Sequence, residues 1–92
     1  MKSVATRRFW EAFAQLPPPI QNLARRIYRR WKKEPYHPSL HFKVVIPEKS
    51  IYSVRIGAYW RVLGRKEENW IIWFWIGSHE DYNKLVAQLR RK

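Results

Sequence analysis

The sequence predicts an α+β fold: an N-terminal helical hairpin packed on a small antiparallel sheet of three to five strands, with a short C-terminal helix. Two observations predict it. Apolar residues recur at helical spacing as far as residue 33, and from residue 41 the apolar period changes to two. A segment of helices followed by a segment of strands is typical of the α+β class.

The first helix is predicted at residues 6–16. Thr6 is a suitable N-cap, and Phe9, Phe13 and Leu16 fall on one face of this helix. The next residues are three prolines, which end the helix and begin another, because proline is tolerated in a first helical turn but not in the interior.

The second helix is predicted to be strongly amphipathic over residues 20–33. Its apolar face contains Ile20, Leu23, Ala24, Ile27 and Trp31. Arginine and lysine fill much of the remaining surface. Residues 2–5 are compatible with a short strand before the hairpin.

Strands are predicted at residues 41–46, 51–57, 59–64 and 70–76. The second and third are separated by a very short connection, so they should pair antiparallel. The fourth is apolar on both faces, which predicts a central strand that is covered on both sides. Residues 79–91 are predicted to form the closing helix.

Composition limits the possible partners. The 92 residues suit one domain, expected over residues 1–92, and the aromatic content of 16% supports a packed core. Nineteen Lys and Arg against seven Asp and Glu give a formal charge of +12, which favours nucleic acid, an anionic membrane or an acidic protein as partner.

Several kinds of site are disfavoured. The absence of cysteine excludes disulfides and zinc–thiolate sites. The three histidines, His37, His41 and His79, have no matching carboxylate cluster, so no metal site is expected. The longest apolar run is too short to span a bilayer, and the N-terminal segment has no secretory apolar core, so we expect a cytoplasmic protein without a membrane partner.

A pair of arginines is the first candidate for chemistry. If Trp60 and Val62 face the core beside Val54, then Arg55 and Arg61 project from the opposite face of adjacent strands. Two neighbouring guanidiniums repel each other, and an anion between them would remove that repulsion. The alternative is that both side chains simply extend into water.

The second candidate is His79, where the apolar strand gives way to a helix after Gly77. A histidine there can act as a general acid or base near neutral pH. The alternative is a helix-capping or surface residue. Arginines, lysines and one histidine without a metal suffice to cleave RNA, because the 2′-hydroxyl itself can attack the adjacent phosphate.

The motifs F..LP..IQ..A, PSLHFK, YSVRIG.YWRVLG and WFWIGSHEDYNKL resemble the RelE/ParE superfamily of toxins from type II toxin–antitoxin systems, and are most similar to its RelE/HigB-like branch. The resemblance covers nearly the whole chain. It implies a RelE-like, microbial-RNase-like fold and a ribosome-dependent mRNA endonuclease (mRNA interferase) that inhibits translation, without metal or cofactor. It also implies a cognate antitoxin with an acidic, partly disordered segment. We expect a monomer alone and an oligomer with antitoxin.

The resemblance also implies roles for individual residues. The catalytic positions fall on Arg55, Arg61, His79 and Tyr82. The residues expected to bind RNA or the ribosome are Lys43, Ser53, Arg25, Arg29, Lys32 and Lys33. The chain departs from the family pattern at Ser53, where some relatives have lysine, and at Glu80 and Asp81, where others are more basic.

Two other functions stay open. ParE-like members of the superfamily poison DNA gyrase without cleaving RNA, and such a toxin would not need His79. A basic nucleic-acid-binding module would bind RNA with a steep salt dependence and cleave nothing.

Overall fold

The computed structural model describes residues 1–91, which form three α-helices and one five-stranded sheet. The elements are β1 (Lys2–Ala5), α1 (Arg7–Ala14), α2 (Pro18–Lys33), β2 (Lys43–Ile46), β3 (Ile51–Ile56), β4 (Trp60–Glu67), β5 (Trp70–Ser78) and α3 (His79–Arg90). Single 3₁₀ turns lie on either side of β2. The predicted α+β class, with a helical hairpin and a C-terminal helix, is confirmed.

The hairpin is held by side chains at its ends. The Thr6 hydroxyl accepts a hydrogen bond from the Phe9 amide at 3.2 Å, which confirms the predicted N-cap. The Gln21 side-chain amide donates to the carbonyls of Phe13 and Leu16 at 3.2 and 3.1 Å. Gln21 on α2 therefore binds the Phe13 carbonyl near the end of α1 and the Leu16 carbonyl in the connection between the helices, and this fixes the two helices relative to each other.

The strand order is β1-β5-β4-β3-β2. The pairs β2–β3, β3–β4 and β4–β5 are antiparallel, but β1 runs parallel to β5, with Lys2 opposite Trp70. The sheet is therefore mixed rather than wholly antiparallel as predicted. A parallel pair needs a long connection, and here the helical hairpin and three strands supply it.

Several strand boundaries differ from the predictions. β4 continues to Glu67 rather than ending at residue 64, so its connection to β5 consists only of Glu68 and Asn69, with Glu68 at a φ of 54°. β2 begins at Lys43 rather than at residue 41, because His41 adopts a left-handed conformation with a φ of 48°. That conformation does not fit a strand.

The sheet has a core on each face. On the hairpin side, Trp31, Val54 and Trp73 are among the buried side chains. On the α3 side, Leu63 and Val86 pack with the half-buried Trp75 and Tyr82, among others. β5 contributes to both cores, as its uniformly apolar sequence predicts, although it lies between β1 and β4 rather than at the centre of the sheet.

A β-bulge determines which residues of β5 face each core. Trp73 pairs with Gly64 and Trp75 pairs with Leu63, so Phe74 is the extra residue. The bulge reverses the alternation. Trp73 lies on the hairpin side and Trp75 on the α3 side, and Gly77 consequently joins the α3 side.

Among residues 1–91, no helix has both the length and the apolar character that crossing a membrane requires.

The close packing at the bulge can be tested by substituting Gly64. A Cβ atom at this position would lie 2.6 Å from Cε3 of Trp73, inside a buried part of the sheet. We therefore expect Gly64→Ala to lower the free energy of unfolding by about 1–3 kcal/mol. Urea unfolding with an unchanged m-value would measure it. The control Ala87→Ser, on the exposed surface of α3, should change it by about 0.5 kcal/mol or less. An equal effect of both substitutions would contradict the packing constraint.

Candidate functional site

The strand register brings the two predicted arginines together. Arg55 lies directly opposite Arg61, and Arg61 lies opposite Gly77 on the next strand. Val54 and Val62 pack in the core on the hairpin side, so the arginines lie on the α3 face of the sheet. The Trp75 ring packs directly over Gly77, where a Cβ atom would collide with it, so only a residue without a side chain fits at this position of the row.

A small cavity lies over this row, with a volume of about 150 Å³. We call it the basic cavity. It is lined by His41, Lys43, Ser53, Arg55, Arg61, His79 and Tyr82. All four residues predicted to be catalytic lie in this one place, together with two of the residues predicted to bind RNA. Their functional roles remain predictions.

The arginine side chains are anchored to the turn that joins β3 to β4. Arg55 Nε donates to the Gly57 carbonyl at 3.1 Å. Arg61 Nη1 donates to the Trp60 carbonyl at 2.7 Å, with longer contacts of 3.4 Å to the carbonyls of Gly57 and Ala58. These bonds fix the direction of the guanidiniums but do not neutralise their charge.

Neither arginine has a carboxylate partner in the described part of the chain. The two ion pairs found there join Arg7 to Glu11 and Arg65 to Glu67, and both are exposed. Two half-buried cations on paired strand positions are electrostatically unfavourable. The cavity is therefore suited to an anion with several acceptor oxygens.

Burial and the uncompensated positive charge also affect the pKa of Arg61. Burial, and next the positive charge of Arg55, lower the pKa of Arg61 from its ordinary value, and Tyr82 partly offsets this. A cation with a lowered pKa costs stability at every pH below that pKa. Arginine remains charged throughout the physiological range, so the cost is constant there, and a bound anion would reduce it.

His79 is the first residue of α3, and the end of β5 sets its position. The Ser78 hydroxyl caps the helix by accepting from the Asp81 amide at 3.1 Å. The His79 amide donates to the Tyr59 carbonyl at 2.6 Å. The rings of His79 and Tyr82 stack with centroids 5.9 Å apart and an interplanar angle of 17°. His79 is exposed, so its ring is accessible from solvent.

The acidic residues after His79 lie outside the cavity lining. Glu80 and Asp81 are exposed in the first turn of α3, where negative charge interacts favourably with the helix dipole. Ser53, by contrast, is 3% exposed and lies opposite Lys43 in the sheet.

The structure does not bring the other predicted RNA-binding residues to the cavity. Arg25, Arg29, Lys32 and Lys33 are exposed on α2, which packs on the opposite side of the sheet. Arg25 lies over the Phe13 ring at 5.0 Å, and Lys32 donates to the Met1 carbonyl at 3.3 Å. These four residues form a separate basic surface.

His41 is a cavity residue that the sequence analysis did not select as functional. It lines the basic cavity with Lys43, two positions further along the chain. Alternation in an extended segment puts residues i and i+2 on the same side, so the spacing to Lys43 was an available signal. Both residues lay within the strand predicted over residues 41–46.

A larger cleft, of about 440 Å³, lies between the hairpin and the sheet, but its lining is mainly apolar and contains no histidine or carboxylate. Nor do residues 1–91 contain a group of three or more His, Cys, Asp or Glu side chains that could hold a metal ion. The basic cavity is therefore the place in the described chain where cations and groups capable of proton transfer meet. Such a set can bind a phosphate and stabilise negative charge that develops on it.

Anion binding is directly testable. We expect phosphate to raise the free energy of unfolding more than chloride does at matched ionic strength, because phosphate binds the native cavity. Arg55→Gln should remove most of this difference, while changing the stability in chloride by about 0.5 kcal/mol or less. Urea unfolding in the two salts measures both quantities.

The matched control for this experiment is Arg7→Gln, which removes an exposed arginine from α1. It should retain the difference between phosphate and chloride. An equal loss in the two variants would indicate a general effect of net charge and would contradict a specific anion site.

Comparisons with known proteins agree with this fold. The toxin–antitoxin complex RelBE2 from Mycobacterium tuberculosis has a TM-score of 0.68 at 17% identity, over 85% of this chain and 96% of that chain. The RelB–RelE antitoxin–toxin complex from Methanococcus jannaschii has a TM-score of 0.72 at 13% identity, over 89% and 96%. The YoeB/ParE toxin from Agrobacterium tumefaciens has a TM-score of 0.65 at 18% identity, over 86% and 99%.

At these identities the structural likeness establishes the fold. No match was found among curated proteins. A family model described as the ParE-like toxin domain matches residues 18–84, which is well over half of the sequence and includes the two arginines, His79 and Tyr82. The chain therefore belongs to the ParE-like toxin domain family.

Proposed function

We propose that this toxin of a toxin–antitoxin system is a metal-independent endoribonuclease that cleaves mRNA on the ribosome and so inhibits translation. One observation supports this most strongly: the basic cavity combines two guanidiniums that lack carboxylate partners with a solvent-accessible histidine stacked on a tyrosine. A toxin that acted only by binding another protein would not require an acid–base group beside an anion site.

In the proposed reaction, the 2′-oxygen of the nucleotide before the cut attacks the adjacent phosphorus. A base removes the 2′-hydroxyl proton, and the bond from phosphorus to the 5′-oxygen of the next nucleotide breaks. An acid protonates that leaving oxygen. The products are a 2′,3′-cyclic phosphate and a free 5′-hydroxyl.

Residues of the basic cavity would have different roles in this reaction. Arg55 and Arg61 bind the phosphate and stabilise the charge that accumulates on its oxygens in the transition state. His79 serves as the general acid or base. Tyr82, which stacks on His79, either assists proton transfer or contacts a base. Lys43 contributes a further positive charge at the margin of the cavity.

The basic surface of α2 would have a separate task. Arg25, Arg29, Lys32 and Lys33 lie on the opposite side of the sheet from the cavity, so we propose that they contact ribosomal RNA rather than the cut phosphate. Contacts with phosphates give affinity and orientation without sequence preference.

The partner that controls this toxin is a cognate antitoxin. Two of the similar structures are complexes of a toxin with its antitoxin. The net charge of +12 supports an antitoxin with an acidic, partly disordered segment that folds as it binds. We expect the free toxin to be a monomer and the complex with antitoxin to be an oligomer.

His79→Ala is the central test of this activity. We expect it to reduce cleavage of cellular mRNA by about 100-fold or more, because removing a general acid or base costs about this factor. The measurement is primer extension on mRNA after induction at matched protein levels. The control is His37→Ala, since the His37 ring bonds to Ser39 in a loop and does not line the cavity.

Two other outcomes of the His79→Ala experiment would lead to different conclusions. Growth arrest with intact mRNA in both the native protein and His79→Ala would reject the endonuclease and direct attention to gyrase. Cuts that persist undiminished in the variant would retain the endonuclease but assign the proton transfer to another cavity residue.

The role of α2 can be tested separately. We expect the double substitution Arg29→Gln/Lys33→Gln to weaken ribosome association and to make its dependence on salt less steep, because fewer phosphates are contacted. The positions of the cuts should not change. Sedimentation with ribosomes at several salt concentrations measures the first effect. Arg7→Gln/Arg8→Gln on α1 removes the same charge elsewhere, and an equal loss in that variant would contradict a specific α2 contact.

A further inference from the structure

The turn between β3 and β4 carries an exposed aromatic side chain, Tyr59, which has no role in the proposed reaction. Tyr59 is 74% exposed, the highest value among the large hydrophobic side chains that are exposed in residues 1–91. It is neither part of a core nor among the residues that line the basic cavity. Packing within the chain does not explain a tyrosine at this position.

Although the Tyr59 side chain is exposed, its backbone is held firmly. The carbonyls of all three turn residues accept hydrogen bonds from groups of the candidate site. Gly57 accepts from the side chains of Arg55 and Arg61, and Ala58 accepts from that of Arg61. Tyr59 accepts from the His79 amide at 2.6 Å. Gly57 has a φ of 61°, which favours glycine and permits this tight turn. The turn is therefore fixed to the residues that would bind the phosphate and transfer the proton.

We propose that Tyr59 stacks on a nucleobase next to the phosphate bound in the basic cavity, and thereby favours a purine at that position of the RNA. The inference rests on the proposed endonuclease function and adds a determinant of substrate choice to it. Single-stranded RNA is commonly recognised by bases stacked on aromatic side chains, and a larger base stacks more strongly. A rigid backbone beside the anion site reduces the entropy lost on binding.

The two next most exposed aromatic residues of the described chain do not meet these conditions. The Tyr36 ring is 63% exposed, but it contacts Phe42 at a centroid distance of 5.2 Å, and Phe42 belongs to the core on the hairpin side. Trp10 is also exposed, but its ring packs edge-on against Phe9 and Phe13 in the same region. Tyr59 is the exposed aromatic residue in the described chain whose backbone bonds to His79.

The test compares native protein, Tyr59→Phe and Tyr59→Ala on ribosomes stalled over mRNAs that carry a purine or a pyrimidine beside the cut. We expect Tyr59→Phe to retain native rates and the preference for a purine. Tyr59→Ala should lose about 10-fold in rate on the purine substrate and cut both substrates equally. Tyr36→Ala, a control for the loss of an exposed ring, should keep the preference. Native rates and preference in Tyr59→Ala would overturn the inference.

A second measurement separates this inference from the proposed function. Binding of a short single-stranded RNA, with a purine or an abasic site at the same position, is measured by fluorescence anisotropy for native protein and for Tyr59→Ala. We expect Tyr59→Ala to bind the purine RNA about 10-fold more weakly and to be insensitive to the abasic site. If native protein binds in this way but cuts nothing, the endonuclease fails and stacking stands. Equal binding by the two proteins overturns stacking, even if native protein cuts mRNA.

Discussion

Arg55, Arg61 and Gly77 occupy one row across β3, β4 and β5, and the candidate site depends on the register that aligns them. The bulge at Phe74 produces this alignment. Without the extra residue, Gly77 would turn to the hairpin side and Ile76 would take its place beside Arg61. Trp75, whose ring packs over Gly77 on the α3 side, would turn to the hairpin side as well.

One face of the sheet supplies most of the hydrophobic core, and the other holds the candidate site. The hairpin face buries most of the large side chains, including Trp31 at 1% and Ile71 at 0% exposure, and supplies much of the hydrophobic stabilisation. The α3 face has a smaller core. At the candidate site, this face carries two half-buried cations instead of packed apolar side chains. The stability of the first face allows the second to hold an arrangement that is unfavourable without an anion.

Local patterns in the sequence were sufficient to predict the elements and part of the site. Strict alternation around the short β3–β4 turn predicts that Arg55 and Arg61 share one face. The strand predicted to end at residue 76, before Gly77, instead continues to Ser78, because Gly77 and Ser78 still pair with β4. Which side chains of β5 face each core was not predictable, because a strand that is apolar on both faces gives no sign of a bulge. The parallel pairing of β1 depends on contacts between residues far apart in the sequence, which local patterns do not encode. The turn carbonyls that bind Arg55, Arg61 and His79 are backbone groups, which have no sequence signature.

The parallel pairing of β1 with β5 also affects the order in which the molecule can assemble during synthesis. The Lys2 amide donates to the Asn69 carbonyl at 2.9 Å, and Ala5 lies opposite Trp73. β1 is therefore synthesised before the helical hairpin and the three strands that separate it from β5, and it cannot pair until β5 is available. Closing so long a loop is entropically costly and delays completion of the sheet. The strand that positions His79 therefore gains its outer neighbour late in assembly, after the elements between β1 and β5 have been made.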